Sequence, residues 1–463
     1  MASAQSVRSH STELKKELGL ADLVLTQIMY VVGTGWVGTA AKLGNQQIVF
    51  WLAAILLFYA PLAAAVIYLN RLMPLEGGLY QWAKLGFNDF IGFLVGWNLW
   101  LYVILIVATL GVGIANNLGY AFGLGATGSA TWFMLLVICL LVTFLVVVTM
   151  LGLGVGKWFQ NAGGLAQVLA FGTLILVPFF VRRGGPASAY HPLAVATPAI
   201  SLLSLNIFSK ISMGAFSGFE YVAILAGECK NPRNIGKSVL IASPIICLMF
   251  ILGTSSVLAF VRPDQVDLVG PIPQVLTLAL GRFQWAALIA PTAILLLIGR
   301  QIGNCTLSTA GSARLPMVAG WDHLLPEWFS RLHPKYKTPV NSILVVGTLI
   351  LALGLLGISG VGQQEAFQIL DNAAGVFYAL AYLAMFALPL FGLRKIGQKP
   401  PLWLRATMAS GFLVTLLYCV MSLFPIINVA SRLSFAAKIG GVIVGSNVIG
   451  AWLYRLGIRR RAG

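Results

Sequence analysis

The sequence predicts an all-α protein that crosses the membrane many times. Of its 463 residues, 59% are hydrophobic and 9% are charged, and the mean hydropathy is +0.89. A typical soluble domain carries about 25% charged residues. The apolar residues are also gathered in long stretches, and a helix needs roughly 20 apolar residues to cross a bilayer core about 30 Å thick. These two observations place the chain among polytopic membrane proteins.

Twelve apolar stretches follow one another along the chain, so we expect twelve transmembrane helices. They lie near 21–43, 48–70, 90–118, 131–151, 161–181, 199–227, 238–261, 284–311, 341–357, 367–391, 404–427 and 434–455. The first twenty residues are polar, and no small-residue cleavage site follows the first stretch. This pattern indicates a cytoplasmic tail over 1–20 and no signal peptide.

The basic residues indicate how the chain is oriented. The formal net charge is +17, and twenty-one of the thirty Lys and Arg residues lie on the side of the N-terminus, against seven on the other side. Because cytoplasmic loops carry the excess of Lys and Arg, both termini are expected inside, with a basic cytoplasmic tail over 456–463. The basic residues are spread through short loops, so no nucleic-acid partner is expected.

The five cysteines predict neither disulfides nor a metal centre. They are odd in number, follow no ligand spacing and lie mostly inside apolar stretches, where a free thiol behaves as a small hydrophobic group. We therefore expect no metal and no cofactor.

Glycines interrupt two of the apolar stretches at matching places. The first stretch contains "GTGWVG" from Gly33, and the sixth contains "GAFSGFE", with Gly214 and Gly218. A broken helix frees backbone groups that lipid cannot satisfy, so a break is tolerated where it lines a cavity. Two broken helices five spans apart are typical of a five-plus-five inverted repeat, here over 21–181 and 199–391, followed by two C-terminal helices over 404–455. Helix packing through small residues is the alternative explanation.

Several motifs resemble those of the amino acid–polyamine–organocation permeases, which have the LeuT-like fold. "GTGWVG" is similar to that family's first-helix Gly-Ser-Gly motif, and "GAFSGFEYVAILAGECKNPRNIGKSV" to its sixth-helix signature. "MPLEGGLYQWAKLGF" resembles the loop between helices two and three, and "ARLPMVAGWDHLLPEWFSRLHPKYKTPVNS" the loop between helices eight and nine. The resemblance covers most of the first ten spans.

The resemblance implies a transporter that binds an amino acid or related amine at the two breaks. By position, the backbone amides of Thr34, Gly35 and Trp36 are expected to bind the substrate carboxylate. The backbone carbonyls of Tyr30, Val31 and Phe216 are expected to bind the substrate amino group. Gly33, Gly214, Ala215 and Gly218 complete the expected substrate-binding set. The helix dipoles support this assignment, because the N-termini of half-helices carry partial positive charge and their C-termini carry partial negative charge.

The chain departs from the family pattern at two positions. Gly214 stands where several members carry a bulky aromatic gate, so either the pocket admits a bulky neutral side chain or Trp36 supplies the gate. Gln167 falls near the position where some members carry a lysine that stands in for sodium and takes part in proton coupling, and a neutral amide cannot hold a charge, which argues against coupling by that route.

Ionisable and hydroxyl residues inside the spans are candidates for coupling and gating. Glu220 is a candidate proton carrier, with counter-charge for an amine or support of the unwound backbone as alternatives. Lys210 and Asp371 are a candidate gate pair, and Arg300 needs a partner or a wet cavity. Ser308 and Thr309 are candidate sodium ligands. The expected coupling ion is a proton, with sodium or exchange left open.

These observations predict a secondary active transporter of the plasma membrane, a proton symporter of amino acids. A polyamine or organic-cation permease, an amino-acid exchanger, and a non-transporting sensor or partner subunit remain alternatives. The loop after the third span has no cysteine, so no disulfide-linked heavy chain is indicated. The spans lack a histidine cluster and a nucleophile beside a base, which argues against an enzyme.

Overall fold

The fold is a bundle of helices that positions one cavity between two irregular segments. A computed structural model describes residues 16–75, 77–127, 130–181, 195–220, 228–231, 233–281, 283–284, 288–321, 324–358, 363–393, 397, 399–426, 429 and 431–462. Within these ranges the backbone forms helices and connecting segments, and one isolated parallel bridge joins Leu18 to Cys229. The expectation of an all-α protein is therefore confirmed.

Within the described ranges, sixteen α-helices are numbered in chain order, and π-helical turns extend three of them. The helices are α1 Leu20–Val31, α2 Thr34–Ala41, α3 Gln47–Ala54, α4 Ala60–Leu72, α5 Leu79–Gly86, α6 Asp89–Phe122, α7 Thr131–Leu151, α8 Leu153–Val181, α9 Leu202–Ser209, α10 Asn234–Leu258, α11 Pro271–Leu280, α12 Ile289–Trp321, α13 Val340–Ile358, α14 Gln363–Ala387, α15 Leu402–Met421 and α16 Arg432–Ala462. The π-helical turns are Ile55–Tyr59, Lys210–Ala215 and Leu388–Gly392.

Eight helical segments of the described residues are long and apolar enough to cross a membrane. Their most apolar windows have mean hydropathies from 1.4 to 3.1, and the pair α1 and α2 adds a ninth candidate that is bent by 42°. The eight are Gly44–Leu72, Asp89–Phe122, Thr131–Leu151, Gly154–Val181, Asn234–Leu258, Gln368–Gly392, Leu402–Met421 and Arg432–Arg459. The chain is thus a multi-pass membrane protein.

The count of twelve spans stays a prediction. Residues 221–227, the end of the expected sixth span, lie outside the described residues, as do 1–15 of the tail. The apolar part of α13 is short, covering Val340–Leu355. Helix α12 carries two buried arginines, Arg300 and Arg314, which lower its hydropathy.

Some predicted boundaries are wrong by about two turns. Helix α8 begins at Leu153 and not at 161, and α12 continues to Trp321 beyond 311. Both additions contain polar side chains that find partners, such as Lys157 on Glu17 and Arg314 on Glu228. Hydropathy alone therefore ends these helices too early. The short helices α5 and α11 also lie in segments that were predicted as loops.

The middle of the bundle consists of the helices that surround the α1–α2 break. Helix α12 packs against α8 and α6, α14 packs against α6, and α1 lies against both α8 and α10. Helix α16 is peripheral, since only 17% of its apolar window is buried. Its outward residues, such as Val444 and Trp452, are suited to lipid.

Candidate functional site

The first irregular segment consists of two non-helical residues, Val32 and Gly33, which separate α1 from α2. Val32 and Gly33 have ψ angles of 88° and 133°, and Gly33 donates its N–H back to the carbonyl of Val31 at 2.9 Å. A Cβ at Gly33 would lie 2.6 Å from Nε1 of Trp36, so glycine leaves room for the indole. The glycines of "GTGWVG" therefore serve a turn and a close side-chain approach.

Side chains from two neighbouring helices contact the carbonyls that this break frees. Gln167 of α8 donates from Nε2 to the Val32 carbonyl at 2.8 Å. Arg300 of α12 donates from Nε to the Met29 carbonyl at 3.1 Å, and Asn304 lies 3.5 Å from the carbonyl of the residue after it. Gln167 thus supports the backbone of the break.

The second irregular segment follows the π-helical turn Lys210–Ala215. Gly218 has a φ of 128°, a conformation that side chains disfavour, and its N–H donates to the Tyr382 hydroxyl at 2.9 Å. A Cβ there would also lie 2.6 Å from Cδ1 of Tyr30. Glycine is therefore required at this position by the backbone and by the first helix.

Glu220 lies behind the cavity wall and contacts it through a tyrosine. The hydroxyls of Tyr378 and Tyr382 both donate to its carboxylate, and Glu220 is fully buried. Tyr378 lines the cavity and stacks on Tyr102, with ring centroids 4.0 Å apart. A buried carboxylate with two hydroxyl donors is satisfied without an ion pair.

A cavity of about 160 Å³ lies between the two irregular segments and is lined by both. Nine of the residues predicted for binding, coupling or gating line it. They are Tyr30, Val31, Gly33, Thr34, Gly35, Trp36, Lys210, Gly214 and Asp371. Its remaining wall includes residues that the sequence analysis did not single out, among them Thr109 and Gln301, because nothing local in the sequence marks them as facing a cavity.

The other predicted residues lie outside the cavity lining. They are Gln167, Ala215, Phe216, Gly218, Glu220, Ser308 and Thr309. Phe216 is completely buried against Tyr59, Trp51 and Phe250, with ring centroids 4.4 to 5.4 Å apart. Ser308 donates to Asn304 Oδ1 at 3.1 Å. For Phe216 the side chain belongs to the apolar core, and only its backbone remains a candidate for substrate.

The expected gate pair does not form an ion pair in the structure. Lys210 Nζ donates to Asn372 Oδ1 and lies 5.9 Å from the centre of the Tyr418 ring. Among the described residues, Asp371 lines the same cavity without a hydrogen bond to Lys210. The neutral side-chain amide of Asn372, which follows Asp371 on α14, therefore contacts Lys210 in place of the predicted carboxylate.

Trp36 fills the space that the missing side chain of Gly214 leaves. A Cβ at Gly214 would overlap the indole and lie 2.9 Å from its Cζ3 atom. Both residues line the cavity. Of the two explanations given for Gly214, this packing favours the one in which the Trp36 ring takes the place of the missing aromatic side chain, and the role of Trp36 as a gate stays a prediction.

Comparison with known proteins agrees with this architecture. An uncharacterized transporter of Legionella pneumophila, lpg1691, is 25% identical over 81% of this chain and 80% of its own length. The branched-chain amino acid permease BcaP of Bacillus subtilis is 27% identical over 79% and 81%. The probable agmatine/putrescine antiporter AguD of Lactococcus lactis is 24% identical over 91% and 88%.

A solved structure shares the fold. The crystal structure of MhsT in complex with L-phenylalanine matches with a TM-score of 0.64 and 13% sequence identity, covering 88% of this chain and 98% of that one. MhsT is a LeuT-fold transporter. The sequence model of the amino acid permease family matches residues 18–446. The chain therefore belongs to the amino acid permease family, and it is a membrane transporter and not an enzyme.

Proposed function

We propose that this chain is a secondary active transporter that moves an amino acid across the plasma membrane by alternating access. One observation carries the proposal: the cavity of about 160 Å³ is lined by both irregular segments, at Gly33 and at Ser217, and by the adjoining helical turns at residues 34–36 and at Gly214. Irregular backbone at such breaks supplies N–H and C=O groups for a ligand. In this proposal the chain has twelve spans and an inverted repeat, with both termini in the cytoplasm.

The N-terminal turn of α2 is proposed to bind the substrate carboxylate. The first N–H groups of a helix have no partner within it, and the N-terminal end carries a partial positive charge. The residues that offer these groups are Thr34, Gly35 and Trp36, all in the cavity wall. The substrate amino group is assigned to the carbonyls of Tyr30 and Val31 at the end of α1 and to the carbonyl of Phe216 at the second irregular segment.

The proposed substrate has a neutral and fairly bulky side chain. Ile106, Leu110 and Met213 give the cavity an apolar wall, and burying apolar substrate surface there is favourable. The relatives support this class, since one is a branched-chain amino acid permease and the matching structure holds L-phenylalanine. Trp36 is proposed to limit the size of that side chain.

The cavity charges argue against the polyamine alternative. Two basic side chains, Lys210 and Arg300, line the cavity together with one carboxylate, Asp371. A substrate with several positive charges would be repelled by the two cations, and Glu220 is held by tyrosines outside the cavity. A zwitterion with no net charge avoids this cost.

Glu220 is the proposed proton carrier for coupling. Its carboxylate accepts a hydrogen bond from the hydroxyl of Tyr378, and Tyr378 lines the cavity. In this proposal the Tyr378 hydroxyl relays protons between Glu220 and the cavity. We expect Glu220→Gln to abolish proton-driven uptake in proteoliposomes while exchange of labelled substrate across the same membrane continues. Loss of both activities in a folded variant would remove Glu220 from coupling.

Ligand-induced stabilisation of the purified chain tests the substrate class. A ligand that binds only the native state at 100 times its Kd stabilises it by about 2.7 kcal/mol. We expect a higher Tm with leucine, isoleucine or phenylalanine, and no shift with putrescine, agmatine or spermidine. Gly35→Leu should lose the shift, because its side chain enters the cavity next to the Leu268 carbonyl, 3.2 Å from a Cβ at Gly35.

Gly172→Ala is the matched control for that variant. A Cβ at Gly172 meets nothing within 4 Å, so the control should respond to ligand as the unaltered chain does. A shift with polyamines alone would move the substrate to the organic cations. No shift with any of these compounds, together with no uptake by proteoliposomes, would overturn the transport proposal in favour of a sensor.

A further inference from the structure

The C-terminal end of α1 bears a concentration of negative partial charge inside the protein. In a continuous helix the carbonyls of Met29, Tyr30 and Val32 would accept the N–H groups four residues on. The break prevents this, and Gly33 donates instead to Val31. Carbonyls without partners at a helix C-terminus carry about half an electron charge together. Buried carbonyls of this kind need a donor or a cation.

Arg300 places a full positive charge at this end of α1. Its Nε atom donates to the Met29 carbonyl at 3.1 Å, and the residue is only 3% exposed. Within the described part of the chain, Arg300 forms no ion pair with a carboxylate. A buried cation requires a counter-charge. For Arg300 this counter-charge is the partly negative C-terminal end of α1, which its guanidinium contacts.

Two neutral side chains, Gln167 and Asn304, also face carbonyls at this end of α1. Together with Arg300 they form a cap on the C-terminal end of α1. Gln167 donates to the Val32 carbonyl at 2.8 Å, and Asn304 approaches the Tyr30 carbonyl at 3.5 Å. Ser308 donates to Asn304 and so supports this cap, one helical turn away on α12. The carbonyls that the first break frees are therefore engaged by fixed side chains of α8 and α12.

Backbone carbonyls at a broken helix end are also ligands for hard cations such as sodium. A diffusible cation bound there would link α1 to α12 only while it is present. The guanidinium of Arg300 makes the same link permanently. It meets the electrostatic requirement of the helix end without an ion from solution.

We propose that Arg300 is a built-in cation that holds the end of α1 against α12, so that this chain needs no sodium at the first break. Arg300 is then a positioning residue: it fixes the backbone of Tyr30 and Val31, which line the cavity. This inference deepens the proposed function, because it excludes sodium as the coupling ion at this place. The geometry of the cap itself does not depend on which substrate is carried.

The test measures the Tm of the purified full chain in sodium chloride and in N-methyl-D-glucamine chloride at equal ionic strength, without substrate. We expect the unaltered chain to have the same Tm in both. Arg300→Ala should lower the Tm in the sodium-free buffer by about 3 °C or more, since the α1 end loses its cation. Sodium should then restore at least about half of that loss, and so should millimolar methylguanidinium.

Arg300→Lys and Lys210→Ala are the matched variants. Lysine keeps the charge, so Arg300→Lys should stay closer to the unaltered Tm and show no sodium effect. Lys210→Ala removes another buried cation from the same cavity, but its ammonium group contacts Asn372 and not α1. Neither sodium nor methylguanidinium should restore its stability.

Three results would overturn the inference. One is a Tm of the unaltered chain that rises in sodium, which would show that a diffusible cation is still needed. Another is equal rescue of Lys210→Ala and Arg300→Ala, which would make the ion effects unspecific. If Arg300→Ala does not fold, a sodium-dependent Tm of Arg300→Lys would count against the proposal in the same way. Because no arm contains substrate, these failures are distinct from failure of the transport proposal.

Discussion

Trp36 and Gly214 are proposed to form one gate from two positions. The indole occupies the space where a side chain at residue 214 would lie, and a Cβ there would be 2.9 Å from Cζ3. We predict that Gly214→Phe lowers the rate of uptake by tenfold or more, because overpacking costs about 1–3 kcal/mol. The double variant Trp36→Ala/Gly214→Phe should recover most of the uptake, since the new ring can take the vacated space.

Initial rates of amino-acid uptake into proteoliposomes are measured for Gly214→Phe, Trp36→Ala and the double variant. Gly172→Ala, in open surroundings, is the control for an added methyl group on a spanning helix. If the two changes in the double variant simply multiply their separate losses, the residues do not share one space and the gate assignment fails.

Gln167 is predicted to contribute stability through one hydrogen bond to the first break. Its Nε2 atom donates to the Val32 carbonyl, a buried group that has lost its helical partner. Gln167→Met should lower the free energy of unfolding by about 1–2 kcal/mol. The cost is at the low end because the Oε1 atom of Gln167 has no hydrogen-bond partner among the described residues, so its removal is favourable.

Denaturant titration of the purified chain checks this value. Thr173→Val on the same helix is the control, because Thr173 is half-buried and its hydroxyl donates to the Leu169 carbonyl one turn away, not to the break. A Gln167→Met variant as stable as the control would mean that the break needs no cap from α8.

At the scale of helices, one end of the bundle is closed by a buried ion pair. Arg314 of α12 pairs with Glu228, and both are about 95% buried. The N-terminal segment joins the same place, because Glu17 and Leu18 donate backbone N–H groups to the Glu228 carbonyl at 2.9 and 3.2 Å. This contact links the chain before α1 to Glu228, which follows the second irregular segment along the chain.

We predict that breaking this ion pair is much costlier than removing both partners. Glu228→Leu alone removes the Glu228 carboxylate from the buried Arg314 guanidinium, which costs about 3–5 kcal/mol, whereas Glu228→Leu/Arg314→Leu should cost less than the single change. The half-buried pair of Lys157 and Glu17, 3.1 Å apart and nearer to solvent, is the control, and its loss should cost under about 1 kcal/mol. Tm values of Glu228→Leu, of Glu228→Leu/Arg314→Leu and of the control Glu17→Gln give the comparison, and a double variant less stable than Glu228→Leu would contradict the prediction.

Over the whole molecule, the sequence predicts what depends on local patterns. The hydropathy of each stretch predicts the α-helical membrane class, and glycines predict the two irregular segments because φ at Gly218 and the close approach at Gly33 are local needs. The cap on α1 was not predictable, since Gln167 and Arg300 lie 135 and 271 positions from the carbonyls they contact. The orientation of the Phe216 ring depends in the same way on packing against distant aromatic residues.

The contacts at the two ends of the bundle allow a test of its orientation. At one end, Glu17 meets Lys157 and the Glu228 backbone. At the other end, Ala199 donates its N–H to Gln46 at 2.8 Å, and Tyr120 donates to Asp267 at 3.0 Å. The first end carries the larger share of basic residues, so the positive-inside rule assigns it to the cytoplasm.

We therefore predict that a membrane-impermeant thiol reagent added to whole cells labels Asn45→Cys but not Lys230→Cys in a cysteine-free background. Both positions are exposed, and they lie at opposite ends of the bundle, so accessibility differs only through the membrane. Opening the membrane with detergent should make the two variants react equally, which controls for the intrinsic reactivity of each thiol. Labelling of Lys230→Cys but not of Asn45→Cys in intact cells would invert the predicted topology and place the Glu228–Arg314 pair on the outer side.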